Sequence, residues 1–340
     1  MLSKIFEALY VKIFVNIVIE KTKTLVYIEM RSKKELLNHA YMDFPTTHLS
    51  DAMIEFILRY TQESPYYYIA LLDTSKEQGA IPTCTKSKLL TYYDISESEY
   101  KCFNNTWSLY TSKSDLYQLE KTYNAIGLDF IFSPFTLLYH FFKDKVSENI
   151  ALFVLVQEES ISLTVFQYSQ LLYAKYIVVE HMSVEASGND ANLEELEELE
   201  DPSFDDSIDL EDMDVDDQIE SLEDFGDIED LDSIEDIEQF SENKDIEEEL
   251  FESEDELRDG EDETFQADYQ KFTLIEKGVS NFYSDDRYES EFIENIYIAD
   301  ATGVSGDLKK YLEEEMFLNV YIRKIDLCVE LCELSKEELN

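Results

Sequence analysis

The histidines and cysteines are the side chains of this sequence with the widest chemical range. They are His39, His48, His140 and His181, and Cys84, Cys102, Cys328 and Cys332. A structural zinc site needs four such ligands at short spacing, whereas Cys328 and Cys332 stand four apart without a third, so we expect small hydrophobes on a terminal strand or turn. Four cysteines in 340 residues are also too sparse for a disulfide framework, so we expect reduced thiols. We interpret the four histidines as solvated or core side chains, and we predict no metal, no cofactor and no catalytic set.

One stretch imitates a calcium-binding loop. Its residues Asp212, Asp214, Asp216, Ile219 and Glu223 fall at positions 1, 3, 5, 8 and 12 of the EF-hand pattern. Asp217, however, replaces the glycine that makes the sharp turn of such a loop. Nearly half of the surrounding tract is acidic, so this spacing is expected by chance and we predict no calcium site.

The charge is large and unevenly placed. The chain has 77 acidic and 27 basic residues, a net charge of −50, and residues 185–268 hold 40 of the acids with only Lys244 and Arg258 as bases. Such a surface repels phosphate backbones, so we expect no nucleic-acid partner. From Ile219 to Phe240 every third residue is apolar, which gives a helix no continuous apolar face. We predict that residues 185–267 are a disordered acidic insertion, either a solvating spacer or a docking segment for a basic or apolar partner.

The remaining elements occur twice in the same order. The first half is predicted to contain strands at 11–19, 24–30 and 39–44, a helix after Ser50 and a strand at 66–72. An inserted subdomain follows at about 74–113, with strand-like patches at 89–93 and 107–110. The half ends with helix 115–126, strand 129–132 and helix 134–142. The second half is predicted to contain strands at 150–156, 160–166 and 171–179, helix 268–283, strand 295–299, helix 307–317 and strand 319–325. Tight turns join three strands in each half, which makes an antiparallel meander, and a helix between strands favours a parallel crossover. We therefore predict an α/β protein with two mixed-sheet lobes, residues 1–145 forming the first, and 146–184 with 268–340 the second.

This duplicated order resembles the actin-like (ribonuclease H-like) ATPase superfamily, and within it the PilM family of type IV pilus assembly proteins. The resemblance is carried by the residues at 123–129, by the meander at 151–166, by the helix at 273–283 and by the stretch at 293–308. It covers about residues 10–180 and 268–330, as a pattern without a single diagnostic motif.

The resemblance implies three nucleotide-binding elements, and each departs from the family pattern. Actin-like enzymes hold phosphate with two Asp-x-Gly hairpins and place a Gly-Gly turn beneath the adenosine, because the backbone must approach the phosphates closely. The corresponding positions in this chain are Asn16 and Glu20 in the first hairpin, Gln157 and Glu158 in the second, and Asp300 and Ala301 in the turn. Neither hairpin contains a glycine, and Glu158 would face an incoming phosphate. We therefore predict a pseudo-ATPase with a degenerate nucleotide site.

By resemblance, the leading hypothesis is a non-catalytic cytoplasmic scaffold of a pilus, secretion or flagellar-motor assembly. PilM-like proteins and the similar cytoplasmic part of the secretion protein GspL lie at the inner face of the membrane. They receive the cytoplasmic tail of a single-span, PilN-like partner, and self-association is a further option. We predict the tail groove near Tyr66, Tyr67 and Tyr68 and the inserted subdomain. One alternative is an active ATPase or small-molecule kinase that binds Mg-ATP between the lobes, and another is an adaptor that acts through the acidic tract.

Overall fold

The structure, a computed structural model, describes residues 10–33, 35–179, 254–288, 290–304 and 306–339. Outside these residues lie the calcium-like stretch, His181 and most of the acidic insertion. What the sequence predicts for these segments therefore remains a prediction. The helix predicted at 268–283 is described from Glu254, so it begins within the segment 185–267 that the sequence assigns to the disordered insertion, and that prediction is wrong for residues 254–267.

The first lobe is built on a mixed five-stranded sheet. Its strands are β1 (Val11–Ile19), β2 (Thr24–Ser32), β3 (Glu35–Phe44), β4 (Tyr66–Leu72) and β8 (Phe130–Phe132), in the order β3-β2-β1-β4-β8. β1 to β3 form the predicted antiparallel meander, and β4 and β8 run parallel to β1. Helices α1 (Asp51–Thr61) and α3 (Lys113–Thr122) cover the outer face, and the Ser50 side chain caps α1 as predicted.

The second lobe repeats this sheet. Its strands are β9 (Ala151–Val156), β10 (Ser160–Gln167), β11 (Gln170–Val178), β12 (Asn295–Asp300) and β13 (Asn319–Lys324), in the order β11-β10-β9-β12-β13. Helices α5 (Glu254–Ser284) and α6 (Gly306–Glu315) pack on its outer face. Gly278 lets α5 approach β10, since a Cβ there would lie 2.1 Å from Cδ1 of Leu163. The predicted apolar face of this helix, with Ile275 and Phe282 at its centre, is buried.

The last helix of each half packs on the sheet of the other half. Helix α4 (Pro134–Phe141), which follows the first-lobe sheet in the chain, contacts β9 and β10. Helix α7 (Leu327–Glu338), which follows the second-lobe sheet, contacts β1, β2 and β4. Each of these helices therefore belongs to one lobe by its position in the chain and to the other lobe by its packing. The core between the two sheets contains residues from both halves of the chain.

The inserted subdomain is a three-stranded sheet with one helix. It contains β5 (Gln78–Ile81), α2 (Lys86–Tyr92), β6 (Ser98–Phe103) and β7 (Trp107–Ser112), in the sheet order β5-β7-β6. The strand-like patch at 107–110 is confirmed, but the patch at 89–93 lies largely in α2, so that prediction is wrong.

The cysteine predictions need two corrections. Cys84 and Cys102 form a disulfide within the inserted subdomain, so the expectation of four reduced thiols is wrong. The cytoplasmic location, which that expectation supported, stays a prediction. Cys328 and Cys332 are free and buried as expected, but they lie on α7 rather than on a strand or turn. Burial raises the pKa of the Cys332 thiol to about 12.

Candidate functional site

A cleft of about 320 Å³ lies between the two lobes. It opens where the carboxyl ends of β4 and β12 meet the tips of the hairpins β1–β2 and β9–β10. Its lining includes Glu20 and Lys21 from the first hairpin, Gln157, Glu158 and Glu159 from the second, Asp73 after β4 and Ala301 after β12. Four of the six predicted degenerate positions, Glu20, Gln157, Glu158 and Ala301, therefore line this cleft. Most of the charged side chains in its lining are carboxylates.

Both hairpins that enter the inter-lobe cleft have tight two-residue tips. The N–H of Glu20 donates to the carbonyl of Lys23 at 2.8 Å, and the N–H of Gln157 donates to the carbonyl of Ser160 at 2.9 Å. None of the four turn residues, at 21, 22, 158 and 159, has a positive φ. The tips therefore lack the left-handed backbone with which a glycine turn bends around a phosphate.

A carboxylate of the second hairpin accepts a hydrogen bond from the backbone of the first hairpin. The backbone N–H of Lys21 donates to Oε2 of Glu158 at 3.3 Å, across the inter-lobe cleft. A hairpin amide in this position is what would meet a phosphate oxygen in a nucleotide site. Burial raises the pKa of Glu20, Lys23 opposes this shift, and the charge of Glu158 adds to it. The site is thus already crowded with negative charge.

In the loop after β12, backbone amides likewise donate to an internal carboxylate. The backbone N–H groups of Thr302 and Gly303 donate to Oδ1 of Asp300 at 2.9 and 2.8 Å, and that of Val304 donates to Oδ2 at 3.0 Å. Gly303 adopts a φ of 79°, so the loop has the concave backbone that commonly binds anions. The buried Asp300 carboxylate occupies that concavity and does not line the inter-lobe cleft.

Asp73 is a cleft residue that the sequence reasoning missed. Its Oδ1 accepts from the N–H of Ser75 at 2.9 Å and from the Ser75 hydroxyl at 2.5 Å, and the residue is buried. Its position directly after the predicted buried strand 66–72 was the available signal, because the carboxyl ends of parallel strands are where such sheets place their ligands.

The other predicted site residues lie elsewhere. Asn16 is fully buried in the middle of β1, where its Nδ2 donates to the carbonyl of Tyr27 and its Oδ1 accepts from Ser335 of α7. Tyr66, Tyr67 and Tyr68 lie at the amino end of β4, away from the inter-lobe cleft and outside the groove described next. Tyr68 stacks on Phe14 and joins the central core.

A second concavity of about 290 Å³ lies beside the inserted subdomain. We call it the β6 groove. The docking groove in this region stays a prediction. One face of the small sheet provides Glu99 and Lys101 of β6 with Leu109 and Thr111 of β7, and the first lobe provides Leu116 of α3 and Ile131 of β8. β6 is an edge strand of its sheet.

Comparisons with known proteins place the chain in a family. Residues 152–340 match the family described as Domain of unknown function (DUF8341), and residues 10–139 match Domain of unknown function (DUF8569). Since the first match spans more than half of the sequence, the chain belongs to the DUF8341 family. No curated protein matches the sequence.

Solved structures with similar folds share little sequence with this chain. A Bacteroides thetaiotaomicron VPI-5482 protein with an actin-like ATPase fold and unknown function is 13% identical, over 94% of this chain and 95% of its own, with a TM-score of 0.43. The PilM-PilN type IV pilus biogenesis complex is 10% identical, over 93% and 89%, with a TM-score of 0.49. The Clostridium difficile activator of the 2-hydroxyisocaproyl-CoA dehydratase with bound ADPNP is 7% identical, over 96% and 98%, with a TM-score of 0.38.

The fold class predicted from the sequence is confirmed. The chain has a duplicated actin-like fold, because its two mixed sheets share one strand order and exchange their last helices. Within the described residues, none of the helices has both the length and the apolar character that a bilayer crossing demands.

Proposed function

We propose that this chain is a non-catalytic, PilM-like scaffold that docks the cytoplasmic tail of a single-span inner-membrane protein. The observation that carries the non-catalytic part is the state of the backbone amides in the first hairpin and in the loop after β12. The amide of Lys21 is bonded to Glu158, and three amides after β12 are bonded to Asp300. Backbone donors in two of the three expected nucleotide-binding elements thus serve internal carboxylates.

Electrostatics adds to this obstacle. Glu20, Asp73, Glu158 and Glu159 line the inter-lobe cleft, opposed by Lys21 and Lys76. At about 4 Å and an effective dielectric constant near 20, each contact between a carboxylate and a phosphate costs on the order of 4 kcal/mol before screening. A triphosphate would therefore have to displace internal hydrogen bonds and approach like charge.

A melting experiment tests the non-catalytic part of the proposal. A ligand present at 100 times its dissociation constant stabilises a protein by about 2.7 kcal/mol, which a thermal shift assay detects. We expect Mg-ATP and Mg-ADP to leave the Tm unchanged relative to magnesium alone. A nucleotide-dependent rise in Tm would instead support the active ATPase or kinase.

The β6 groove is the docking surface we propose for the tail. An extended peptide that lies in this groove can meet Leu109, Leu116 and Ile131, and the free edge of β6 beside it offers backbone groups for further pairing. Cytoplasmic segments beside membrane spans are enriched in Lys and Arg, which complements a chain with a net charge of −50. The occupant is therefore an extended, basic tail.

Two substitutions on one helix separate docking from folding. Helix α3 has no fully buried residue, so it tolerates polar substitutions. We expect Leu116→Asp, whose side chain faces the β6 groove, to weaken binding of synthetic tail peptides by about tenfold or more. These peptides are made from the single-span proteins encoded nearby, and the matched control Tyr117→Asp, which is exposed beside it, should leave binding unchanged. Equal affinity of both variants would place the tail elsewhere.

A deletion distinguishes the scaffold from an adaptor that acts through the acidic tract. Removal of residues 185–250 leaves α5 intact, and we expect this variant to keep its melting transition and its tail binding. Loss of tail binding with an unchanged melting transition would assign docking to the tract.

A further inference from the structure

Three aromatic residues are exposed together at the end of the second lobe that lies away from the inter-lobe cleft. The β10–β11 turn, the start of β12 and the start of β13 all lie at this end of the sheet. The end of β10 pairs with the start of β9, the start of β9 pairs with the start of β12, and the start of β12 pairs with the start of β13. Tyr168 lies in the turn, Phe292 precedes β12 and Phe317 precedes β13. The amide of Gln167 also donates to Glu291 at 2.9 Å, which joins the first two segments. We call Tyr168, Phe292 and Phe317 the distal aromatic patch.

The residues of the distal aromatic patch contribute little to the core. Tyr168 is 65% exposed, Phe292 is 70% exposed and Phe317 is 81% exposed. Aromatic side chains of this size ordinarily contribute to stability by being buried. The Tyr168 hydroxyl donates to Oδ1 of Asn149 at 3.1 Å, but its ring remains in solvent.

The backbone at two of these positions favours other residues. Tyr168 has a φ of 50° and Phe317 has a φ of 56°, in the left-handed region that costs a bulky side chain free energy and suits glycine or asparagine. The following residue, Ser169, has a φ of 65°, so the turn has the two positive φ values for which Asn-Gly is the usual sequence. Folding alone therefore gives no reason for an aromatic residue at either site. Backbone strain of this kind is typical of binding sites.

The surroundings of the distal aromatic patch are acidic. The three segments around it, 147–149, 290–294 and 313–317, hold six glutamates and neither lysine nor arginine. Glu148 is paired with Lys145 and Glu313 with Lys309, both from outside these segments. Glu291, Glu294, Glu314 and Glu315 are exposed around the aromatic rings.

We propose that the distal aromatic patch binds a basic, amphipathic segment of another protein. Lys and Arg side chains can lie over exposed aromatic rings and pair with the surrounding carboxylates, while apolar side chains cover the rings. An anionic membrane or a nucleic acid is repelled by the glutamates, and a second copy of this acidic chain is repelled as well. This surface lies at the other end of the second lobe from the inter-lobe cleft, and it does not depend on the proposed scaffold function.

Substitution by the residue that the backbone prefers tests this proposal. In the full-length chain we replace Tyr168→Asn and Phe317→Asn together and measure the Tm and the binding of a labelled peptide. The probe is a synthetic 18-residue amphipathic helix of lysine and leucine, followed by fluorescence anisotropy, with a second peptide in which glutamate replaces each lysine. We expect the double variant to bind the basic peptide about tenfold more weakly, while its Tm stays the same or rises by about 2 °C because strain is relieved.

A control variant separates loss of the distal aromatic patch from loss of any exposed apolar side chain. The variant Leu90→Asn removes an exposed apolar side chain from α2, which contributes no residue to the distal aromatic patch, and should bind the basic peptide like the unmodified chain. Because the acidic insertion is the same in all three proteins, a difference in affinity between them cannot come from it. Unchanged affinity in the double variant, equal binding of the glutamate peptide, or no binding by the unmodified chain would overturn the proposal. A fall in Tm that accompanies weaker binding would overturn it too, since the aromatic residues would then serve the fold.

Discussion

At the scale of single residues, the carboxylates decide what the backbone of the inter-lobe cleft can bind. Asp300 accepts from three successive amides, and Glu158 reaches the amide of Lys21 in the opposite hairpin. Charge-assisted hydrogen bonds of this kind are stronger than neutral ones. An incoming anion would therefore have to break them before it could gain any contact of its own.

The bonds made by Asp300 predict a large loss of stability on its removal. Asp300→Ala leaves three amides of the 302–304 loop without their acceptor, and an unsatisfied buried donor costs about 1–3 kcal/mol. Since water reaches part of this loop, we expect a total loss of about 2–4 kcal/mol in the free energy of unfolding, measured by urea denaturation. The cap variant Ser50→Ala on α1 is a reference that should cost about 1 kcal/mol. A loss no greater than this reference would mean that Asp300 does not hold the loop.

At the scale of elements, the exchanged helices α4 and α7 connect the two halves of the chain. Their contact includes His140 of α4, whose Nδ1 is paired with Oε1 of Glu330 and whose Nε2 lies 3.0 Å from Oε1 of Glu337. The hydrogen bond to Glu330 raises the pKa of His140, burial opposes the shift, and Glu337 adds to it. The protonated imidazole therefore stabilises the docking of α7.

This ion pair predicts a dependence of stability on pH. The pKa of His140 is higher in the folded chain than the value of about 6.5 expected when it is unfolded. Its contribution is therefore complete below pH of about 6.5 and is lost as the pH rises through the folded pKa. Urea denaturation at several values between pH 6 and pH 9 should show this decline, and His140→Asn should reduce it. An unchanged profile in the variant would assign the decline to other groups.

The disulfide predicts a redox effect confined to the inserted subdomain. Cys84 and Cys102 are 18 residues apart, and closing a loop of this length stabilises a fold by about 3 kcal/mol. Reduction should therefore lower stability by up to this amount, measured by denaturation with and without dithiothreitol. The variant with Cys84→Ser and Cys102→Ser should not respond to the reductant. A response in that variant would point to Cys328 or Cys332.

The sequence predicts the strands of both sheets because their apolar residues alternate between short turns, and it predicts α5 from apolar residues at helical spacing. It does not predict α7, since the apolar side chains of that helix pack on a sheet formed about 300 residues earlier, which local pattern cannot reveal. The resemblance places Asn16 at the nucleotide site, whereas in the fold its side chain is buried and bonded to Ser335 of α7, a contact that local pattern also cannot reveal. The hairpin tips of the inter-lobe cleft were predictable because each tip is a local turn between two strands that are adjacent in the chain.

At the scale of the whole molecule, the described part of the chain is held together by one central core. This core combines residues of the first lobe, the inserted subdomain, the second lobe and α7. Polar contacts reinforce it: the Arg287 guanidinium donates to the carbonyl of Tyr92 at 2.8 Å, and Arg323 makes two hydrogen bonds to Asp144. Each lobe also has a core of its own on the outer face of its sheet, and the central core couples the two.

This shared core predicts that the two lobes unfold together, and the single tryptophan of the sequence reports on it. Trp107 is buried in the inserted subdomain, with Tyr139 of α4 and Phe166 of β10 each 6.1 Å from it between ring centroids. Its fluorescence therefore follows the junction of three parts of the chain, whereas far-ultraviolet circular dichroism follows both sheets. We expect the two signals to give the same urea midpoint, as a cooperative transition requires. Phe166→Ala should cost about 3–5 kcal/mol and move both midpoints equally, because the cavity it leaves lies where the parts meet. If only the fluorescence midpoint moved, the lobes would be folding separately and the junction would be a surface contact.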